Sequence, residues 1–105
     1  MPAAEVRRAR HGARVRTAGL VLMRQRPGTA GGVTFVTLED ESGQINVIVW
    51  ERTGQAQRAP LLESRLLEVH GELQQQEGVT HLIAHRLIDR SALLGALSTR
   101  SRDFR

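Results

Sequence analysis

An all-β barrel of five strands is the fold this sequence predicts, on three observations. Period-two alternation of apolar and polar residues recurs in short segments, and Gly, Asp and Ser turn signals separate those segments. The 105 residues hold only three aromatics, Phe35, Trp50 and Phe104, so one small core must be filled by Val, Leu, Ile and Ala. Closure into a barrel removes the long exposed edges that so short an all-β chain would otherwise present.

Residues 1–13 mix alanine with Arg7, Arg8 and Arg10, show no apolar stripe and read as a mobile basic tail. The domain is expected over residues 14–90. Its first strand runs from Arg14 to Met23, with Gly19 marking a bulge or sharp bend that lets one strand serve two sheets. In the second, Val33 to Glu39, residues Thr34, Val36 and Leu38 point one way and Phe35, Thr37 and Glu39 the other. Asp40-Glu41-Ser42-Gly43 supplies a turn, and the third strand, Gln44 to Trp50, sets Ile45, Val47 and Val49 opposite Asn46, Ile48 and Trp50. Between Glu51 and Ser64 the period-two pattern is lost, while Gly54 and Pro60 forbid one uninterrupted helix, so a short helix and a turn are expected. Arg65 to Gln74 and Val79 to Ile88 form a second hairpin. Over residues 91–105, Ser91 caps a brief helix through Leu97 and a loose tail follows. This order of strand, loop, hairpin, short helix and hairpin is that of an OB-fold barrel.

All fifteen basic side chains are arginine, against eleven carboxylates, for a net charge of +4. Arginine forks pair with phosphate and stack on bases, although a GC-rich genome produces the same bias. Without cysteine there is no disulfide, thiol nucleophile or Cys-based zinc site. No apolar run is long enough to span a membrane, and residues 1–18 lack the apolar stretch of a signal peptide, so a cytoplasmic, monomeric protein is expected. His81 and His85 on one strand would lie about 14 Å apart, too far to share a metal ion, and Glu39, Asp40 and Glu41 read as a solvated turn. No P-loop or nucleophile motif is present, and neither metal nor cofactor nor catalysis by this chain is expected.

The chemistry concentrates in Arg24-Gln25-Arg26-Pro27-Gly28 and the strand that follows. Arg24, Arg26 and, from the first strand, Arg16 are candidates for phosphate contact, and Phe35 is a face on which a base can stack, with Thr37 and Asn46 beside it. Trp50 either extends that stacking row or plugs the barrel end, and the size of the ring favours the plug. Gln75, with Gln74 and Gln76, reaches nucleic acid from the opposite rim or forms a plain polar turn.

The runs Gly19-Leu20-Val21-Leu22-Met23-Arg24-Gln25-Arg26-Pro27-Gly28-Thr29-Ala30 and Phe35-Val36-Thr37-Leu38-Glu39-Asp40-Glu41 resemble the C-terminal OB domain of error-prone DnaE-type bacterial DNA polymerases, the ImuC-like paralogues of the replicative α subunit. His81-Leu82-Ile83-Ala84, Arg86-Leu87-Ile88-Asp89 and Ser101-Arg102-Asp103-Phe104 resemble the end of the same enzymes. Phe-Val-x-Leu-x-Asp is shared more widely, including with anticodon-binding domains of class II tRNA synthetases. The resemblance implies a non-catalytic module that handles single-stranded template DNA during damage-induced translesion synthesis, with the catalytic palm domain absent. It implies stacking at Phe35 and polar contact at Asn46, and other polymerase domains or mutagenesis proteins as further partners. A protein-interaction module and an RNA- or anticodon-binding domain are the alternatives. After Trp50 the chain departs from the family, with Glu51-Arg52-Thr53-Gly54 where a proline and an aromatic usually open the helix.

Overall fold

The computed structural model describes residues 1–27 and 31–95. Five strands, β1 (Arg14–Gln25), β2 (Thr34–Asp40), β3 (Gly43–Val49), β4 (Leu66–Gln76) and β5 (Val79–Asp89), close into a barrel in the order β1-β2-β3-β5-β4. This is the expected OB-fold, mostly sheet, with short helices α1 (Ala3–Arg8), α2 (Glu51–Ala56) and α3 (Arg58–Glu63). Neighbours are antiparallel except β3 and β5, which meet in parallel through Val47↔Leu82 and Ile48↔Ile83. The inward residues predicted by alternation, Val36, Leu38, Ile45, Val47 and Val49, are all buried, and Leu67 and Leu82 of the second hairpin join them in the interior.

β1 pairs with β4 over residues 14–20 and with β2 over residues 20–25. At the crossing sits Gly19, where a Cβ would come within 2.9 Å of the Glu39 carbonyl oxygen, so only glycine lets the two strands approach. The expected bulge is not there. It falls three residues later, between Val21 and Met23, and Leu22 is the extra residue. A bulge reverses strand parity. Before it, Arg14, Arg16, Ala18 and Leu20 face outward; after it, Met23 and Gln25 do, and Arg24 turns to the side of its partner Val36.

The first thirteen residues are not a mobile tail. They carry α1, whose Val6 is fully buried and whose Ala3 is 3% exposed, closing one end of the barrel core. Two buried apolar residues are too few to register as a stripe among arginines, but the barrel needs an apolar lid and α1 supplies one. Its orphan amides are met by the β2–β3 turn: Ala3 N–H donates to Asp40 Oδ2 (2.7 Å) and Ala4 N–H to Ser42 Oγ (2.9 Å). Its last carbonyls are met by Gln75, whose Nε2 donates to Arg7 O (2.9 Å) and Ala9 O (3.0 Å). Ala3 and Val6 are thus part of the core cluster of the barrel.

The opposite end is closed by Leu61 of α3, 5% exposed. Chain direction breaks at Gln57 (φ −127°), as the loss of pattern predicts, and Pro60 falls in the first turn of α3, where its missing N–H has no helical partner to lose. Gly54 keeps α2 close: a Cβ there would lie 3.1 Å from Leu61 Cδ2. The Gln57 amide straps β5 beyond the short β3–β5 contact, donating to His85 O (2.9 Å) and accepting from Leu87 N–H (2.6 Å). Ser91 stands at the start of the expected helix, its carbonyl accepting from Leu94 N–H (3.0 Å), but its side chain does not supply the cap. Its hydroxyl accepts from Arg65 N–H (2.8 Å) and Leu66 N–H (3.3 Å), holding the entry to β4, and residues 92–95 are helical. Leu97, the expected tail and the tip of the β1–β2 loop lie outside the described residues.

Burial pushes the Asp40 carboxyl up, but hydrogen bonds from the Ser42 hydroxyl and from the Ala3, Ser42 and Gly43 amides outweigh it and hold the group below its ordinary 3.8. A carboxylate depressed in the folded state contributes stability that is present above 3.8 and is lost as pH falls through its folded value. Thermal unfolding from pH 7 down to strongly acidic solution should therefore show a loss of Tm below 3.8, and Asp40→Asn should start lower at neutral pH and lose less over that range. Parallel profiles for the two proteins would show that Asp40 does not anchor α1.

Candidate nucleic-acid interface

Alternation and register place one continuous set of side chains on the outer face of β2 and β3. Gln25 of β1, Phe35 of β2 and Ile48 of β3 lie side by side, and Ile83 of β5 is the parallel partner of Ile48. The next row is Met23, Thr37 and Asn46. Phe35, Ile48 and Ile83 thus form an apolar run beside the polar pair Thr37 and Asn46, with Gln25 and Met23 at the β1 end of the two rows. Phe35 is half-buried between its strand neighbours Gln25 and Ile48, while Asn46 is exposed. A base stacked on the ring would find the Thr37 hydroxyl and the Asn46 amide next to it.

Clefts flank this face at both ends. One, of about 270 Å³, lies under the β1–β2 loop between Arg24, Gln25, Arg26, Thr34, Glu51 and Arg58. The other, of about 380 Å³, lies between Arg7, Gln44, Asn46 and the β4–β5 turn at Gly78 to Thr80. The loop over the first cleft returns through Gly31 (φ 63°) and Gly32 (φ 85°), and a Cβ on Gly32 would overlap the Glu51 side chain. Arg26 stands at the cleft mouth, 3.9 Å from Glu51 with both side chains at least half exposed, an ion pair that contributes little and yields readily to a phosphate.

The predicted site residues do not all meet. Phe35, Thr37 and Asn46 share the face, and Arg26 stands at its edge. Arg24 borders the same cleft, but its guanidinium is committed to structure: Nε donates to Leu61 O (2.6 Å) and Nη2 to Ser64 O, closing the C-terminal end of α3. The bulge at Leu22 is what turns it inward. Arg16 precedes the bulge and pairs with His70 of β4, on another wall of the barrel. Gln75 holds the end of α1, as described, so its amide is occupied within the fold. Trp50 is no plug. It is 52% exposed at the position before α2, on the outward side of β3, because α1 and Leu61 already close the two ends. Met23, Gln25, Ile48 and Arg58 are additions. Alternation already put Ile48 beside Asn46, whereas Met23 and Gln25 became visible only with the bulge, and Arg58 only with the placing of α3.

No group of three or more metal-ligating side chains occurs among the described residues, and Asp40, the centre of the acidic turn, is spent on α1. No helix is long and apolar enough to cross a membrane.

Residues 15–89 match the family model of the tRNA anti-codon type, described as an OB-fold nucleic acid binding domain. The chain belongs to that family. Curated relatives of this OB domain include the error-prone DNA polymerases of Alkalilimnicola ehrlichii, 60% identical over 99% of the chain, and of Pseudomonas paraeruginosa, 60% identical over 90% of it. The chain spans 10% and 9% of those proteins' lengths, consistent with an OB domain of a DnaE-type polymerase and without a polymerase catalytic domain. Among solved structures, asparaginyl-tRNA synthetase from Pyrococcus horikoshii superposes with a TM-score of 0.70 at 22% identity, over 86% of this chain and 22% of that one, a likeness of fold.

Arg24 and Arg26 are neighbours in sequence with opposite roles, and substitution separates them. Arg24→Gln should lower stability by about 2–3 kcal/mol, because charge-assisted hydrogen bonds to two carbonyls are lost. Arg26→Gln should change stability by less than about 0.5 kcal/mol. Urea unfolding of both variants measures this, and an Arg24→Gln midpoint equal to that of the unsubstituted chain would contradict the assignment.

Proposed function

We propose that this OB domain binds single-stranded DNA across the outer face of β2 and β3, with Phe35 as the stacking platform. Thr37 and Asn46 contact base edges or sugars, Arg26 and Arg58 meet phosphates at the first cleft, and Trp50 offers a second ring at the end of β3. Supporting this reading is the placement of a half-exposed aromatic and an apolar neighbour beside polar side chains, between two clefts that each carry arginine. With error-prone polymerases as relatives, the module would hold template strand in the cytoplasm for an enzyme whose catalytic centre lies in another domain. Its own role is binding and orientation, without bond-making chemistry.

Arg24 is removed from the list of phosphate contacts that the loop suggests, since its guanidinium already serves two carbonyls. Two phosphate contacts from Arg26 and Arg58 give a salt slope of about −1.4 on single strands, so isolated affinity is modest. Titrating a fluorescent oligo-dT by anisotropy at low and moderate salt tests this. Phe35→Ala should weaken binding about tenfold, the loss of one stacked base, without shifting the unfolding midpoint enough to empty the folded state. Unchanged affinity in Phe35→Ala would remove DNA from this face, and binding of RNA in preference to DNA would transfer it to 2′-hydroxyl recognition.

A further inference from the structure

The remaining arginines of β1 lie on a different wall. Before the bulge, Arg14 and Arg16 point outward from β1, two residues and so about 7 Å apart along the strand. Arg16 is paired with His70 of β4, and His70 with Arg86 of β5, so Arg16, His70 and Arg86 form one row across three adjacent strands. At the usual strand spacing the two arginines are about 10 Å apart at Cα. Arg14, Arg16, His70 and His85 border a groove of about 370 Å³ floored by Gly71, where a Cβ would collide with the Ile83 carbonyl.

Arg14, Arg16 and Arg86 have no ion pair or side-chain hydrogen bond among the described residues, so their guanidinium donors are uncommitted within the fold. Of the carboxylates on this wall, Glu68 is already engaged, accepting from Arg90 Nε at 3.0 Å and bonded to His70 Nε2 at 2.5 Å. Hydrogen bonding to His70 and Arg90 holds its carboxyl below the ordinary value, so it stays ionised and occupied. Glu72, opposite Arg14, makes no ion pair with it. An anion from outside would satisfy these donors, and planar forks at these spacings suit successive phosphates better than a single compact ion.

We propose that the outer wall formed by the first half of β1 with β4 and β5 is a second nucleic-acid contact, in which Arg14, Arg16 and Arg86 bind phosphodiester groups. The phosphates come either from a single strand or from duplex DNA. This goes beyond the reading of the β2–β3 face and stands or falls separately from it.

The test is anisotropy on the 105-residue chain with labelled oligo-dT and, in a second arm, a labelled duplex. The triple variant Arg14→Gln/Arg16→Gln/Arg86→Gln is compared with a charge-matched control, Arg10→Gln/Arg52→Gln/Arg65→Gln, and with Phe35→Ala. The patch variant should bind about tenfold more weakly at low salt, with a salt slope shallower by about 2, while unfolding at the same temperature or higher. The control should lose much less. Whichever arm shows the larger loss identifies the phosphate source. Equal losses in patch and control variants would overturn the proposal, as would absence of binding by the unsubstituted chain, or poly-glutamate held as tightly as DNA. A patch defect with Phe35→Ala unaffected would uphold this wall while refuting the β2–β3 reading.

Discussion

β1 is shared along its two edges, and the rest of the structure depends on how it manages that. A strand of twelve residues closes the barrel by pairing first with β4 and then with β2. Two local features make this feasible. Gly19 removes the side chain that would strike the Glu39 backbone at the crossing, and Leu22 adds the residue that reverses parity beyond it. From that reversal follow three consequences at once: Arg14 and Arg16 face one wall, Met23 and Gln25 face another, and Arg24 turns toward α3. Without the extra residue, Arg24 would project beside Phe35 and nothing on β1 would hold the end of α3.

The arginines illustrate how context divides one residue type. Arg24 and Arg90 have their guanidinium groups bound within the fold, to backbone carbonyls and to Glu68 respectively. Arg26 has only a solvent-exposed partner at 3.9 Å, and Arg14, Arg16 and Arg86 have none among the described residues. Net charge therefore says little about how much positive potential a ligand would meet. What counts is which forks remain uncommitted and whether the sheet brings them side by side, because potentials from adjacent charges add while an arginine bonded to carbonyls has fewer donors to offer.

Much of this was legible in the sequence. Strict alternation in Val33 to Glu39 and Gln44 to Trp50 identified the β2–β3 hairpin and its outward residues, since period two is a direct consequence of strand geometry. Phe35, Thr37 and Asn46 were found for that reason. A bulge is different. It is one residue's departure from alternation, and in Leu20-Val21-Leu22-Met23 every candidate is apolar, so hydrophobicity alone does not show where parity changes. The position of Arg24 was hidden with it. α1 was hidden for another reason: a six-residue helix has no stability of its own, and it forms because Asp40, Ser42 and Gln75, far away in sequence, satisfy its ends. Trp50 was misread because a barrel end needs a plug, and the sequence offered no sign that α1 and Leu61 would fill that need.

Modest affinity at each wall is compatible with a role in a much longer enzyme. The chain covers about a tenth of its relatives' length, and under the proposed function a module tethered in such an enzyme would act at the effective concentration set by its linker, which reaches millimolar for short ones, so a few phosphate contacts and one stacked base would suffice for occupancy. The rigid placement of the contacts matters more than their number. Phe35 has strand neighbours on both sides, and the cleft beside it is shaped by Arg24 holding α3, so under the proposed function little binding free energy would be lost in ordering the face. Under the proposed function Arg24 would contribute to recognition without touching the nucleic acid: its guanidinium holds the wall of the cleft, and Arg26, two residues on, is the one that would meet the ligand.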